Sequence, residues 1–173
     1  SDLTNEQLAS LKTSQLASMQ TDDLQALTTA QIAALTTAQV SSVTTAQVVA
    51  LTTDQMAALT TAQLAAFTTA QLVKMETDDV AAITTDQITA LKATQVAALT
   101  TDQVVALTTG QVSTLTTAQL VALTTAQVAK MATDDVAAIT DTQITALKAT
   151  QIAAMTSDQV VRSEEHTSEL QSH

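Results

Sequence analysis

Three pairs of adjacent carboxylates recur along the chain at equal intervals: Asp22-Asp23, Asp78-Asp79 and Asp134-Asp135, each pair 56 residues from the next. Carboxylates at fixed spacing could hold a divalent cation. A Ca²⁺ site draws six or more oxygens, usually from a loop turned by glycine. The one glycine, Gly110, adjoins none of the pairs. Nucleophilic chemistry has no better footing. There is no cysteine, so thiol nucleophiles, thiolate metal sites and disulfides are excluded. Both histidines, His166 and His173, fall at the extreme end of the chain. Serine and threonine are abundant, but no base is placed beside them, and no glycine-rich phosphate loop is present. The expectation is a chain with no catalytic residues, no cofactor-binding residues, no metal ligands and no cofactor. The aspartate pairs then serve as acids in the first turns of helices.

The elements that carry these residues follow from an eight-residue unit. From Leu3 it repeats twenty times without a gap, ending at Val161 (the copy that starts at Met155 stops one residue short). In the copy Leu27-Thr28-Thr29-Ala30-Gln31-Ile32-Ala33-Ala34 the positions are named a to h. Positions a and f are apolar throughout. Position b is mostly Thr, and position e is Gln in seventeen copies and Asp in three (Asp23, Asp79, Asp135). A short fixed period of this kind marks a solenoid or array. The 56-residue interval is seven octads, and Ile83 to Val96 returns as Ile139 to Ile152. Duplication of a seven-octad block accounts for this second-order repeat.

One unbroken helix cannot satisfy the pattern. Eight residues overshoot two turns by about 80°, so the apolar stripe would wind around the rod with no single face to bury. The chain must change direction once per octad, and the sequence says where. Thr at b lies three residues before Gln at e. That spacing is the capping box, and positions a and f fall at N′ and N4, the hydrophobic staple pair. Asp at d (Asp54, Asp86, Asp102, Asp158) falls at N2, where it complements the helix dipole. Ala at g and h favours helix. Each octad is therefore expected to form a helix from c to about the next a, followed by a one-residue Thr elbow. Copies without Thr at b are expected to differ. Thr13, Thr21, Thr77 and Thr133 at c would cap one residue later, and the Lys92 and Lys148 copies, with Ala at c, would have the weakest elbows. Helices this short must stack on one another. The fold class is all-α, a solenoid of about twenty very short helices over residues 1–161. A β-solenoid is the alternative, since Thr and Val favour strands. However, a and f have opposite parity and would point to opposite faces of a strand, and one Gly with one Asn cannot supply the corners. Two to four octads per turn all pack.

The net charge is −11, with fourteen acids against five lysines before Arg162. This opposes binding to nucleic acid or to an anionic membrane surface, and no apolar run approaches a membrane span. The start at Ser1 suggests an internal piece of a longer chain. The last twelve residues, 162–173, share nothing with the octads and resemble the in-frame translation of a sequencing adapter, so they are read as a non-native or disordered tail. The regular Thr rows at b and c resemble the ice-binding faces of antifreeze proteins, although capping already explains b.

The octad Leu/Val/Ile/Met-Thr-Thr-x-Gln-Val/Ile/Leu-x-Ala over residues 3–161 resembles the Thr-Thr-x-Gln repeats of large bacterial surface or secreted proteins labelled adhesin-like or haem utilisation or adhesion. The resemblance implies a bacterial source, extracellular or cell-surface localisation and a spacer role. No haem-binding residue carries over. The expected partners are neighbouring repeats, flanking domains of a longer chain and an unidentified surface ligand, with neither nucleic acid nor membrane insertion. A spacer or stalk without catalysis is the first expectation for function. A binding module, through an adhesion surface or ice binding, is the second.

Overall fold

The computed structural model of the protein describes residues 3–161. The chain divides into two compact units, residues 1–91 and 92–173. Among the described residues every regular element is helical and there is no strand, so the β-solenoid alternative is set aside.

The first unit holds α1 (Asn5–Ser10), α2 (Thr13–Ala17), α3 (Thr21–Gln25), α4 (Thr29–Ala34), α5 (Thr37–Ser42), α6 (Thr45–Ala50), α7 (Thr53–Ala57), α8 (Thr61–Ala65), α9 (Thr69–Leu72), α10 (Thr77–Ala82) and α11 (Thr85–Ala90). The second holds α12 (Ala93–Ala98), α13 (Thr101–Val105), α14 (Thr109–Thr114), α15 (Thr117–Ala122), α16 (Thr125–Lys130), α17 (Thr133–Ala137), α18 (Asp141–Ala146) and α19 (Ala149–Ala154). A further helical run covers residues 157–161. No helix among the described residues is long and apolar enough to cross a membrane.

The capping box appears with the register that the spacing demands. In α8, Thr60 Oγ1 accepts from the Gln63 amide at 3.2 Å, and Gln63 Oε1 accepts from the Thr60 amide at 2.7 Å. Helices begin at c but stop at or before h, shorter than expected. The next a is not helical. Leu35 (φ −62°, ψ 144°) and Thr36 (φ −75°, ψ 156°) are both extended, close to polyproline II. The elbow is thus two residues, a and b, rather than one. The reason is burial: an extended a residue turns its side chain inward, where a helical one would follow the winding stripe. Among the described residues none has positive φ, so elbows of this kind need no glycine.

The copies without Thr at b keep the same frame, which corrects a second expectation. Thr13, Thr21, Thr77 and Thr133 are first helical residues, not caps, and the caps are Lys12, Gln20, Glu76 and Ala132 without a side-chain cap bond. The Lys92 elbow (φ −69°, ψ 150°) matches the others, because Gln95 Oε1 still accepts from the Lys92 amide at 2.8 Å. Lys148 and Gln151 pair likewise at 3.0 Å. The glutamine half of the box survives loss of the threonine half.

Within each unit a helix packs on the helix three octads away. The pairs run α1 with α4 through α8 with α11 in the first unit, and α12 with α15 through α16 with α19 in the second. Stacking buries the two apolar rows. Interior f side chains such as Val48, Met56 and Leu64 are fully buried, and a residues such as Leu59 and Phe67 nearly so. Phe67, the one aromatic, borders a void of about 10 Å³ whose lining is wholly aliphatic or aromatic. That is about the room for a single water, but such a lining offers it no polar partner.

Gly110 sits at N2 of α14 without unusual φ, and a Cβ there would meet only Thr108 Oγ1 at 3.9 Å. Gly110→Ala is expected to stabilise the second unit by about 0.5–1 kcal/mol, since alanine restricts the unfolded chain and favours helix. A urea titration checks the sign.

Candidate functional site

The polar groups that the fold buries are the e residues. Glutamines at e are 1–7% exposed wherever an earlier turn exists to cover them. Gln63 shows what they do. Its Oε1 is occupied by the Thr60 amide of its own cap. Its Nε2 donates to three carbonyls of the previous turn: Ile32 at 2.9 Å, Ala33 at 3.2 Å and Leu35 at 2.6 Å. These lie at the C-terminal end of α4 and in the elbow after it, where carbonyls run short of helix partners, although Ile32 O also accepts the Leu35 amide at 3.2 Å. One side chain therefore closes the start of its own helix and the end of another, 28 to 31 residues earlier.

The pattern repeats through the first unit, where Gln39 reaches Leu8 and Leu11, Gln55 reaches Leu24 and Leu27, and Gln71 reaches Val40 and Val43. In the second unit Gln151 reaches Leu120 and Leu123, and Gln159 reaches Val128 and Met131. Each glutamine meets the elbow joining the octads four and three places before its own, whereas its helix packs on the helix three places before. A turn of either coil therefore lies between three and four octads.

Reading the glutamine as a capping residue alone accounts for only half of its hydrogen bonding. One signal could have revealed the rest. A capping box accepts Glu as readily as Gln at N3, yet Glu never occurs at e. A carboxylate can accept the cap amide but has no proton to give to three carbonyls.

The aspartate pairs separate into unlike residues. Asp22, Asp78 and Asp134 are first-turn acids. Their neighbours at e are first-turn acids as well, but they occupy the glutamine position, where stacking buries Asp79 and Asp135, and the first-turn reading did not anticipate that burial. Asp79 and Asp135 are 3% and 4% exposed. Each carboxylate lacks the amide donor that serves the earlier elbow and takes a hydroxyl instead. The Thr109 hydroxyl donates to Asp135 Oδ1 at 2.8 Å, and Thr53 donates to Asp79, which also accepts from the Glu76 amide. Both donors are c threonines three octads earlier. Asp23 has no earlier turn beneath it and is exposed.

Burial pushes both carboxyls above their ordinary value. The Thr53 hydroxyl and the Glu76 amide pull Asp79 down, the Thr109 hydroxyl pulls Asp135 down, and the acids Glu76, Asp78 and Asp134 add to the rise. A carboxyl raised on folding contributes stability in full below its unfolded value of 3.8 and loses it as pH climbs through the folded one. The array is expected to gain stability, relative to an Asp79→Asn/Asp135→Asn variant, as pH falls from neutral toward 3.8. Denaturation midpoints across that window test this, and parallel curves for the two proteins would overturn it.

Among the described residues no group of three or more His, Cys, Asp or Glu side chains is placed to hold a metal ion. His166 and His173 lie outside the described residues. The outward positions b, c and d carry mainly Thr, Ala and Asp, and the elbow network occupies the buried amides.

The ALTTAQ repeat family matches the chain five times, over residues 2–37, 16–53, 32–61, 72–109 and 128–162. No curated protein and no solved structure matches it. These matches take in most of the octads and the Thr-Thr-x-Gln elbow at their centre, and the chain belongs to the ALTTAQ repeat family.

Proposed function

We propose that this structural repeat array is a spacer, holding other domains of a larger bacterial surface or secreted protein away from their anchor, and that it performs no catalysis itself. The observation that carries this reading is the commitment of the buried e glutamines to joining one turn to the next. The chain has no cysteine, and its histidines fall after the last octad. The residues left on the outside are small, uniform and acidic, which suits a solvated shaft. Stability in such an array accumulates copy by copy, so length can change without changing the unit. The resemblance to adhesin-like proteins supports the bacterial and extracellular setting. Residues 162–173 are on this reading foreign to the array, and resequencing the gene beyond the Val161 codon tests that point.

The test removes whole octads from the full-length protein displayed on its cell and measures how far an epitope beyond the array stands from the envelope. The distance should shorten in proportion to the octads removed, with function of the distal domains otherwise retained. If the isolated array instead binds cells or glycans, or produces thermal hysteresis, the spacer reading gives way to a binding module.

A further inference from the structure

The link between turns changes character at one place in each unit. At Asp79 and Asp135 the side chain at e has no amide to give. The carbonyls that a glutamine there would meet, 28 to 31 residues earlier, belong to Val48 and Leu51 in the first unit and to Val104 and Leu107 in the second. Val48 and Val104 still accept the amides of Leu51 and Leu107, at 3.2 and 3.3 Å. No donor among the described residues reaches the carbonyls of Leu51 and Leu107, although these residues are only 7% and 3% exposed. A single hydroxyl, from Thr53 or Thr109, crosses between the turns instead. The cap is lost in the same octads. Glu76 and Ala132 stand at b without a side-chain cap bond, whereas the Lys92 and Lys148 copies give up the threonine but keep the glutamine. The helix leading into each unserved elbow also carries an exposed β-branched residue, Val49 in α6 and Val105 in α13, 45% and 46% exposed. β-Branching lowers helix propensity, and so much exposure leaves little packing to offset it. The aliphatic rows run through unbroken, with Val80 and Val136 fully buried.

We propose that these two octads are compliant joints, one in each unit, at which α10 parts from α7 and α17 from α14 before neighbouring turns separate. Hydrogen bonds are directional and fix the register of the turns they join. A glutamine supplies two or three of them per crossing, as Gln159 and Gln63 do. Apolar burial is non-directional, so a crossing held by aliphatic packing and one hydroxyl tolerates a slide or tilt that a glutamine crossing resists. The elbow beneath yields more easily too, since nothing ties its last carbonyl to the turn above. Such joints would give way first whether the array spaces domains or binds a ligand, and a spacer under load would lengthen at them before anywhere else.

Hydrogen–deuterium exchange of the whole chain at neutral pH tests this. After correction for local sequence, amides of α10 and α17 should exchange about tenfold faster than those of α8 and α18, the scale set by one or two lost hydrogen bonds. Because α18 lies later in the chain than α17, fraying from that side would give the opposite order. Asp79→Gln supplies the missing amide and keeps an acceptor for the Glu76 amide. It should slow exchange in α10 and also in the elbow beneath, at residues 49–51. Glu76→Thr restores the cap alone and should slow α10 without touching that elbow. Asp135→Gln and Ala132→Thr should divide in the same way between α17 and residues 105–107. Unchanged circular dichroism establishes that the variants are folded. Protection of α10 and α17 equal to that of α8 and α18 overturns the proposal. So does an Asp79→Gln variant that slows α10 while residues 49–51 exchange as before, which would reduce the joint to a missing cap.

Discussion

Gln63→Glu is expected to cost the first unit about 3 kcal/mol or more at neutral pH, the range for leaving a buried charge uncompensated. The substitution changes almost no volume and keeps an oxygen to accept the Thr60 amide, so the cap of α8 survives. It removes the donor that serves Ile32, Ala33 and Leu35 and sets a carboxylate against those carbonyl oxygens. Gln63 is 2% exposed, so water cannot take the donor's place. The same change at Gln7, which is exposed and has no earlier elbow to serve, should be nearly neutral. Denaturant titration of both variants makes the comparison, and the Gln63→Glu loss should shrink as the pH falls and the carboxyl protonates. Equal effects at the two positions would mean that the link between turns contributes nothing beyond the cap.

Leu64→Ala is expected to cost about 2–5 kcal/mol, the range for truncating a large aliphatic in a close-packed core. Leu64 lies at f in α8, is fully buried, and is covered by the helices stacked on either side, α5 and α11. An elbow fixed by hydrogen bonds at both ends leaves the backbone little freedom to collapse into the cavity. Ile152→Ala removes the same number of atoms at the same octad position, but Ile152 is 40% exposed and should cost about 1 kcal/mol or less. The contrast separates octad position from stacking. If both substitutions cost the same, burial by the neighbouring turn is not what holds the f row.

Everything that acts within one octad was legible in the sequence. The a and f rows, the start of the helix at c, the Thr-to-Gln capping box and the N2 acids depend on partners within five residues, and spacing alone brings those together. The helix period also forced a break per octad, because eight residues do not close on whole turns. What escaped were the matters settled by the next turn of the coil. The a residue is extended because burial of its side chain outweighs continuing the helix. Lys92 and Lys148 elbows keep the common geometry because their glutamines, not their caps, fix the amide.

The turn size, between three and four octads, was open in the sequence because it follows from how aliphatic side chains of different helices interlock and how sharply each elbow bends. The second role of glutamine was hidden for the same reason: its acceptors are 28 to 31 residues away, at a distance that no local spacing encodes. So too with Asp79 and Asp135, which local reading makes first-turn acids and stacking makes buried ones. The sequence by itself determined the unit and where it bends. Tertiary structure decided which unit lies beneath which, and hence which polar groups are buried, because burial is conferred by a neighbour from another turn.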